Sequence, residues 1–221
     1  MDFVFMLTRA DQTVGDALEV LDDIESVGLT HVGFKDVGLP PAELGAVARR
    51  IKAMGAISYM EVVSTTPEAC LASARVARDI GIDRLLGGTQ VDEVLAILAG
   101  SSTRYLPFPG RPFDHPTKLG GSPDDVERDC RRAVARGCPG VDLLAYRATE
   151  AAPLDLVKAA RRGTDGILLV AGGIGRPEQV RALAEHGVDS FTVGSAAFDG
   201  SFAPVLGSLR SQLRAVLDAC R

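Results

Sequence analysis

Two short apolar runs of this chain end in ionisable groups. His31-Val32-Gly33-Phe34-Lys35 finishes on an amine, and Ile57-Ser58-Tyr59-Met60-Glu61 finishes on a carboxylate. Side chains alternate along a strand, so Phe34 turned outward puts Lys35 inward, and Tyr59 and Glu61 share that side in the next run. An ammonium and a carboxylate in a low-dielectric interior cost several kcal/mol before they pair, so the pair needs a reason. One reason is chemistry. Lys35 can attack a ketone to form a Schiff base, or polarise a carbonyl against a developing enolate, while Glu61 moves the proton. Asp142, in a later run, can join them. The competing reading is an ion pair that fills the top of a core.

A second set of residues suits an anion. Val170-Ala171-Gly172-Gly173-Ile174-Gly175 is followed by Phe191-Thr192-Val193-Gly194-Ser195-Ala196. Glycines at 172, 173 and 194 carry no Cβ to hold a phosphate away from converging backbone N–H groups, those of Ile174 and Ser195 included. The Ser195 hydroxyl can add a further contact. The alternative is that Gly172 and Gly173 make only a tight turn in crowded backbone.

These groups need a scaffold that brings them to one end. Eight apolar runs, Phe3–Thr8, His31–Lys35, Ile57–Val63, Arg84–Gly88, Tyr105–Phe108, Val141–Tyr146, Ile167–Gly172 and Ser190–Gly194, have the length of buried parallel strands. Amphipathic stretches such as Val14–Val27, Pro41–Ala53 and Pro67–Ile80 separate them. Thr66-Pro67-Glu68 and Ser122-Pro123-Asp124-Asp125 carry helix-start signals, and Gly28, Gly55, Gly81, Gly137, Gly163 and Gly187 stand where helices should stop. Eight units of roughly 27 residues predict an α/β protein, a single-domain (β/α)8 TIM barrel over residues 1–221. A doubly wound sheet would usually place its glycine-rich turn after the first strand, where this chain has Thr8-Arg9-Ala10-Asp11. In a barrel the loops after strands seven and eight form a phosphate pocket, which is where the glycines fall.

Over residues 168–202 the run VAGGIGRPEQVRALAEHGVDSFTVGSAAFDGSF resembles the closing quarter of the ribulose-phosphate-binding barrels, above all the phosphoribosyl isomerase and cyclase of histidine biosynthesis. The resemblance implies a (β/α)8 fold and a phosphorylated, sugar-like ligand with its phosphate on Gly173 and the Gly194-Ser195 turn. Asp11 stands nearest the position of the isomerases' catalytic aspartate, three residues past the strand, and their second aspartate has no counterpart after strand five. An internal repeat relates Pro67-Glu68, Gly81-Ile82-Asp83 and Gly88-Thr89 to Pro177-Glu178, Gly187-Val188-Asp189 and Gly194-Ser195. The resembling enzymes bind a phosphate in each half. Here strand three runs out as Glu61-Val62-Val63-Ser64-Thr65 without a glycine pair, which argues for one phosphate.

The segment from Pro109 to Ser122 is the longest connection on the catalytic face. It reads as a possible lid, with Arg111, His115 and Lys118 able to meet an anionic substrate. His31 and His186 read as structural, and no His and carboxylate set has metal-ligand spacing, so no metal is expected. Twenty-nine acidic against 24 basic residues give a formal charge of -5, without a global attraction to nucleic acid or an anionic membrane. The four cysteines lack ligand or redox spacing and suit a reducing, cytoplasmic setting. The Pro204–Cys220 stretch has an apolar stripe at Leu206, Leu209, Leu213 and Leu217 that should close the barrel, and a homo-oligomer stays open.

The leading expectation is an enzyme on a small phosphorylated metabolite, a lyase of aldolase or decarboxylase type or an isomerase, working without a cofactor. The alternatives are an FMN-binding barrel oxidoreductase and a non-catalytic barrel that binds a phosphate metabolite.

Overall fold

The computed structural model describes residues 1–64 and 66–221. Each apolar run becomes a strand buried on both faces: β1 (Asp2–Met6), β2 (His31–Lys35), β3 (Ile57–Val62), β4 (Arg84–Gly87), β5 (Arg104–Leu106), β6 (Gly140–Leu143), β7 (Ile167–Val170) and β8 (Ser190–Val193). They form one eight-stranded parallel sheet in the order β6-β7-β8-β1-β2-β3-β4-β5. Across the remaining seam the Asp142 N–H donates to the Pro107 carbonyl at 3.0 Å. Proline has no N–H to return, so this edge pairs sparsely. The architecture is a single-domain (β/α)8 barrel.

The helices occupy the amphipathic stretches between the strands. They are α1 (Ala17–Ile24), α2 (Pro41–Ala53), α3 (Pro67–Asp79), α4 (Val91–Leu98), α5 (Pro123–Ala135), α6 (Pro153–Gly163), α7 (Pro177–Glu185), the single-turn α8 (Ser195–Phe198) and α9 (Leu209–Ala219). Thr66 caps α3, and Ser122 with Asp125 forms a reciprocal capping box on α5. Five of the six expected stop glycines are left-handed. Gly163 is different: it is the last residue of α6, and a Cβ there would run into Cys130 and the Glu127 carbonyl. Its small size serves the crossing of α5 and α6.

Several boundaries move, with consequences for the mouth of the barrel. The sixth strand ends at Leu143 rather than Tyr146, and Ala145–Arg147 turns back as a 3-10 helix. The last helix begins at Leu209, not Pro204. Leu206 therefore leaves the stripe and is 37% exposed, while the buried Gln212 side chain bonds the Ala203 and Leu206 backbone instead. After β1 the chain makes a hairpin, Thr8–Arg9 against Gln12–Thr13, through a two-residue turn with Ala10 and Asp11 at φ 47 and 64°. Two positive φ values define the turn type that matches strand twist, and aspartate is among the few residues that accept it. The long connection holds a second hairpin, Arg111–Phe113 against Lys118–Gly120.

Candidate active site

Register does for β2 and β3 what alternation predicts. Lys35 pairs with Glu61 across the sheet, and residues in register share a face. Lys35 Nζ lies 3.1 Å from Glu61 Oε2, and both side chains are buried. At the opposite end of the same strands His31 Nδ1 lies 3.0 Å from the Tyr59 hydroxyl, with Arg84 over the Tyr59 ring. His186 bonds the Ala182 carbonyl at the end of α7. Neither histidine faces the mouth.

The closer partner of Lys35 comes from the first hairpin. Its turn carries Asp11 back over the barrel, where Oδ1 accepts from Lys35 Nζ at 2.5 Å. Thr13, on the returning strand, fixes that geometry: its hydroxyl donates to the Lys35 carbonyl and accepts from the Lys35 N–H, both at 2.8 Å. Asp11 also accepts two bonds from the Arg147 guanidinium, at 2.8 and 3.1 Å. Burial alone would raise the Asp11 carboxyl, but the Lys35 ammonium and the Arg147 guanidinium outweigh it and hold it well below the usual carboxylate range.

Arg147 sits on the 3-10 turn after β6, and no sequence signal singled it out. Its position follows from the early end of that strand. Read as strand through Tyr146, the segment gives no reason for the next residue to lean across the mouth.

Asp142 lies lower in the barrel and does not line the cleft. Both its carboxylate oxygens are buried without a hydrogen-bond partner among the described residues. Burial first, and then the Glu61 charge, push this carboxyl well above its usual range.

The opposite wall of the cleft is glycine. A cavity of about 360 Å³ runs from Asp11, Lys35, Glu61 and Arg147 to Gly172–Gly175, Gly194 and Ser195. Gly172 and Gly173 both have positive φ, 73 and 74°. A Cβ on Gly172 would strike Arg147, and one on Gly194 would lie 2.5 Å from the Thr8 hydroxyl. Packing alone therefore accounts for glycine at 172 and 194. The amides are a separate matter. Gly172 N–H is spent on Thr192 and Gly175 N–H on Gln179. Those of Gly173 and Ile174 have no partner among the described residues, and Ser195 opens a helix that has no side-chain cap and no acid in its first turn. Ile174 offers only its amide, since its side chain is in the core.

The connection from Pro109 to Ser122 reaches the site through a residue that was not singled out. Thr117 N–H donates to Asp11 Oδ2 at 3.1 Å, and its carbonyl accepts from Arg147 at 3.0 Å. Arg111, His115 and Lys118 are exposed and do not line the Lys35 cleft. Arg111 pairs with Glu150 and Lys118 with Asp114. On the other side of this hairpin Arg111 borders a second cavity, next to Val63, Ser64 and Gly88. Thr65, from the turn where no glycine pair was found, lies outside the described residues. Burial pushes the thiols of Cys70 and Cys138 up to about 11 and that of Cys130 to about 12, so none is a nucleophile at neutral pH.

Fold and cleft together define the class: a (β/α)8 barrel whose C-terminal mouth sets a lysine–carboxylate cluster against a glycine-lined wall. Residues 110–203 match the family described as histidine biosynthesis protein, a span that contains the run whose resemblance the sequence carried. Orotidine 5'-phosphate decarboxylase from Pyrococcus horikoshii OT3 superposes with a TM-score of 0.66 at 17% identity, covering 99% of each chain. The Amycolatopsis orientalis BexX/CysO complex gives 0.65 at 18% identity, over 100% of this chain and 90% of the other. A cube-shaped protein cage, designed by fusing symmetric oligomeric domains, gives 0.66 at 13% identity, over 99% and 73%. At these identities the likeness is one of fold. No curated protein matches the sequence. No helix of the described residues is long and apolar enough to cross a membrane.

Proposed function

We propose that the protein is an enzyme acting on a small phosphorylated aldehyde or ketone, as a lyase or an isomerase. The phosphate would rest on the amides of Gly173, Ile174 and Ser195, and the carbonyl carbons would reach across the cleft to Lys35. The observation that carries this reading is one cavity with unpaired backbone donors on one wall and Lys35, between two carboxylates, on the other. Free amides at the ends of strands seven and eight suit a dianion, and phosphate placement there fixes the rest of a small molecule.

The neighbours of Lys35 select among its chemistries. An amine with carboxylate oxygens at 2.5 and 3.1 Å is placed to remain an ammonium. An ammonium cannot attack a ketone, but it stabilises the oxygen of an enolate. In this reading Glu61 takes a proton from the carbon beside the carbonyl, and Lys35 donates a hydrogen bond to the oxygen as charge develops there. Return of the proton to the former carbonyl carbon, with the proton of the neighbouring hydroxyl passing to the former carbonyl oxygen, completes an isomerisation. In the lyase direction a carbon–carbon bond breaks, its electron pair forms an enolate, and the other fragment leaves as carbon dioxide or, once Glu61 has taken its hydroxyl proton, as an aldehyde or ketone. The isomerase resemblance and the decarboxylase fold neighbour both support phosphorylated substrates without choosing between the two outcomes.

The test is solvent exchange. A panel of three- to five-carbon aldose and ketose phosphates in deuterium oxide should show enzyme-dependent loss of a carbon-bound proton for at least one member. Loss of that exchange in Glu61→Gln, with phosphate binding retained, supports the assignment. A borohydride-trapped adduct on Lys35 would replace the enolate reading with an imine. A panel without exchange or turnover, together with phosphate binding, would leave the non-catalytic binding barrel.

A further inference from the structure

The second cavity, about 320 Å³, opens beside the first at the same end of the barrel, between the β3 end, the β4 turn and the 111–120 hairpin. Thr117 lies on the boundary: it borders this cavity while its amide holds Asp11 of the other. By the internal repeat, Gly88-Thr89 here corresponds to Gly194-Ser195 there, so the two can be compared group by group.

The comparison is one of opposites. The amide matching that of Ser195 belongs to Thr89, and it already donates to the Gln90 side-chain oxygen at 3.4 Å, while Gln90 Nε2 donates to the Thr89 hydroxyl at 2.9 Å. The helix that follows carries Asp92 and Glu93 in its first turn, whereas α8 carries no acid there. Among the described residues lining this cavity, Arg111 is the one side-chain cation, and its Nη2 donates to both Glu150 oxygens, at 2.8 and 3.0 Å. Five of the other lining side chains are hydrocarbon, those of Val62, Val63, Phe108, Pro112 and Phe113, and they stand beside the hydroxyls of Ser64, Thr66 and Thr117. A phosphate placed here would lose water against a few hydroxyls, with no unpaired cation among the described lining residues to offset its charge. An apolar group would gain from burial, and Phe113, 37% exposed, would be covered.

We propose that this cavity takes the uncharged, apolar end of the substrate whose phosphate lies at Gly173 and Ser195. The substrate is then a monophosphate that ends, away from the phosphate, in a hydrocarbon chain or ring. This rests on the phosphate reading above and narrows it from any sugar phosphate to one with a hydrophobic tail. Ligand cavities of about 300 Å³ and upward hold such a group.

The test compares methyl phosphate, a series of ω-phenylalkyl phosphates of increasing chain length, and the matching alkane bisphosphates, by calorimetry on the intact protein. At least one phenylalkyl ester should bind about tenfold more tightly than methyl phosphate, and no bisphosphate should gain more than about twofold. In Phe113→Ala the ratio of phenylalkyl ester to methyl phosphate should shrink. In an amide-resolved NMR titration, 4-phenyl-1-butanol alone should shift Val63 and Phe108, and methyl phosphate alone should shift Gly173. Failure of methyl phosphate to move Gly173 overturns the phosphate reading. Failure of the phenyl alcohol to move Val63 and Phe108, no gain by any phenylalkyl ester, or a bisphosphate that outbinds every one of them, overturns the apolar subsite.

Discussion

Lys35 Nζ and Asp11 Oδ1 meet at 2.5 Å although a full helix and 24 positions of chain separate them. The left-handed turn at Ala10-Asp11 folds the end of strand one back over the barrel, and Thr13 ties the returning arm to the Lys35 backbone. Asp11 thereby joins three elements, since it also receives Arg147 and the Thr117 amide.

Asp11→Ala should show how much depends on that junction. Removing one partner from a buried ionic cluster costs about 3–5 kcal/mol, read by urea denaturation. The Thr117 amide should also lose protection from hydrogen exchange. Unchanged stability together with an unchanged Thr117 amide would mean that the hairpin is held by something else.

The two aspartates should give opposite pH dependences. Asp11 has a folded-state pKa below its ordinary value of 3.8. Its contribution is therefore complete above that pH and fades as pH falls through the folded value. Asp142 has a raised pKa, so its contribution is complete below about pH 3.8 and is lost as pH rises toward the folded value. Asp142→Asn should accordingly gain stability over the parent as pH increases, by up to about 1.4 kcal/mol per pH unit. Urea denaturation at pH 4, 6 and 8 reads the trend, and a difference independent of pH would contradict a raised Asp142 pKa.

Gly173→Ala should weaken phosphate binding about tenfold or more, because the residue stands at φ 74° with Tyr146 atoms 3.1 Å from the new Cβ. Gly187→Ala supplies the control. Its φ of 71° imposes similar strain far from the cleft, with its nearest neighbour, Arg161, 3.6 Å away. Equal loss of phosphate binding in both variants would mean that strain, not the amide cradle, is being measured.

Asp199 is the acid on the rim beside Ser195 and Ser201. Asp199→Asn should tighten phosphate binding about two- to threefold, the scale of one exposed charge, and the gain should shrink as salt is added. An unchanged affinity at low salt would place the phosphate farther from this rim.

Lys35→Gln keeps a hydrogen-bond donor but removes the charge. Solvent exchange should fall about 10²–10³-fold, while phosphate binding stays within about fivefold of the parent. Retained exchange would remove Lys35 from the reaction.

The sequence by itself determined the barrel, the face on which chemistry could occur, and the Lys35–Glu61 pair. Those depend on local rules: strand alternation, cap residues and glycine stops act within a few positions, and eight short buried strands need a closed parallel sheet. The Ala10-Asp11 turn shows where such rules end. Its residues permit a positive φ without demanding it, so Asp11 read as a neighbour of the strand rather than as the closest partner of Lys35. Arg147 was hidden because strand six stops three residues early, and Arg111, His115 and Lys118 drew attention as charges while the backbone of Thr117 made the contact. Only the tertiary structure decided those matters, because where a turn folds back, and which buried acid finds a cation there, depends on elements distant in the chain arriving at the same place.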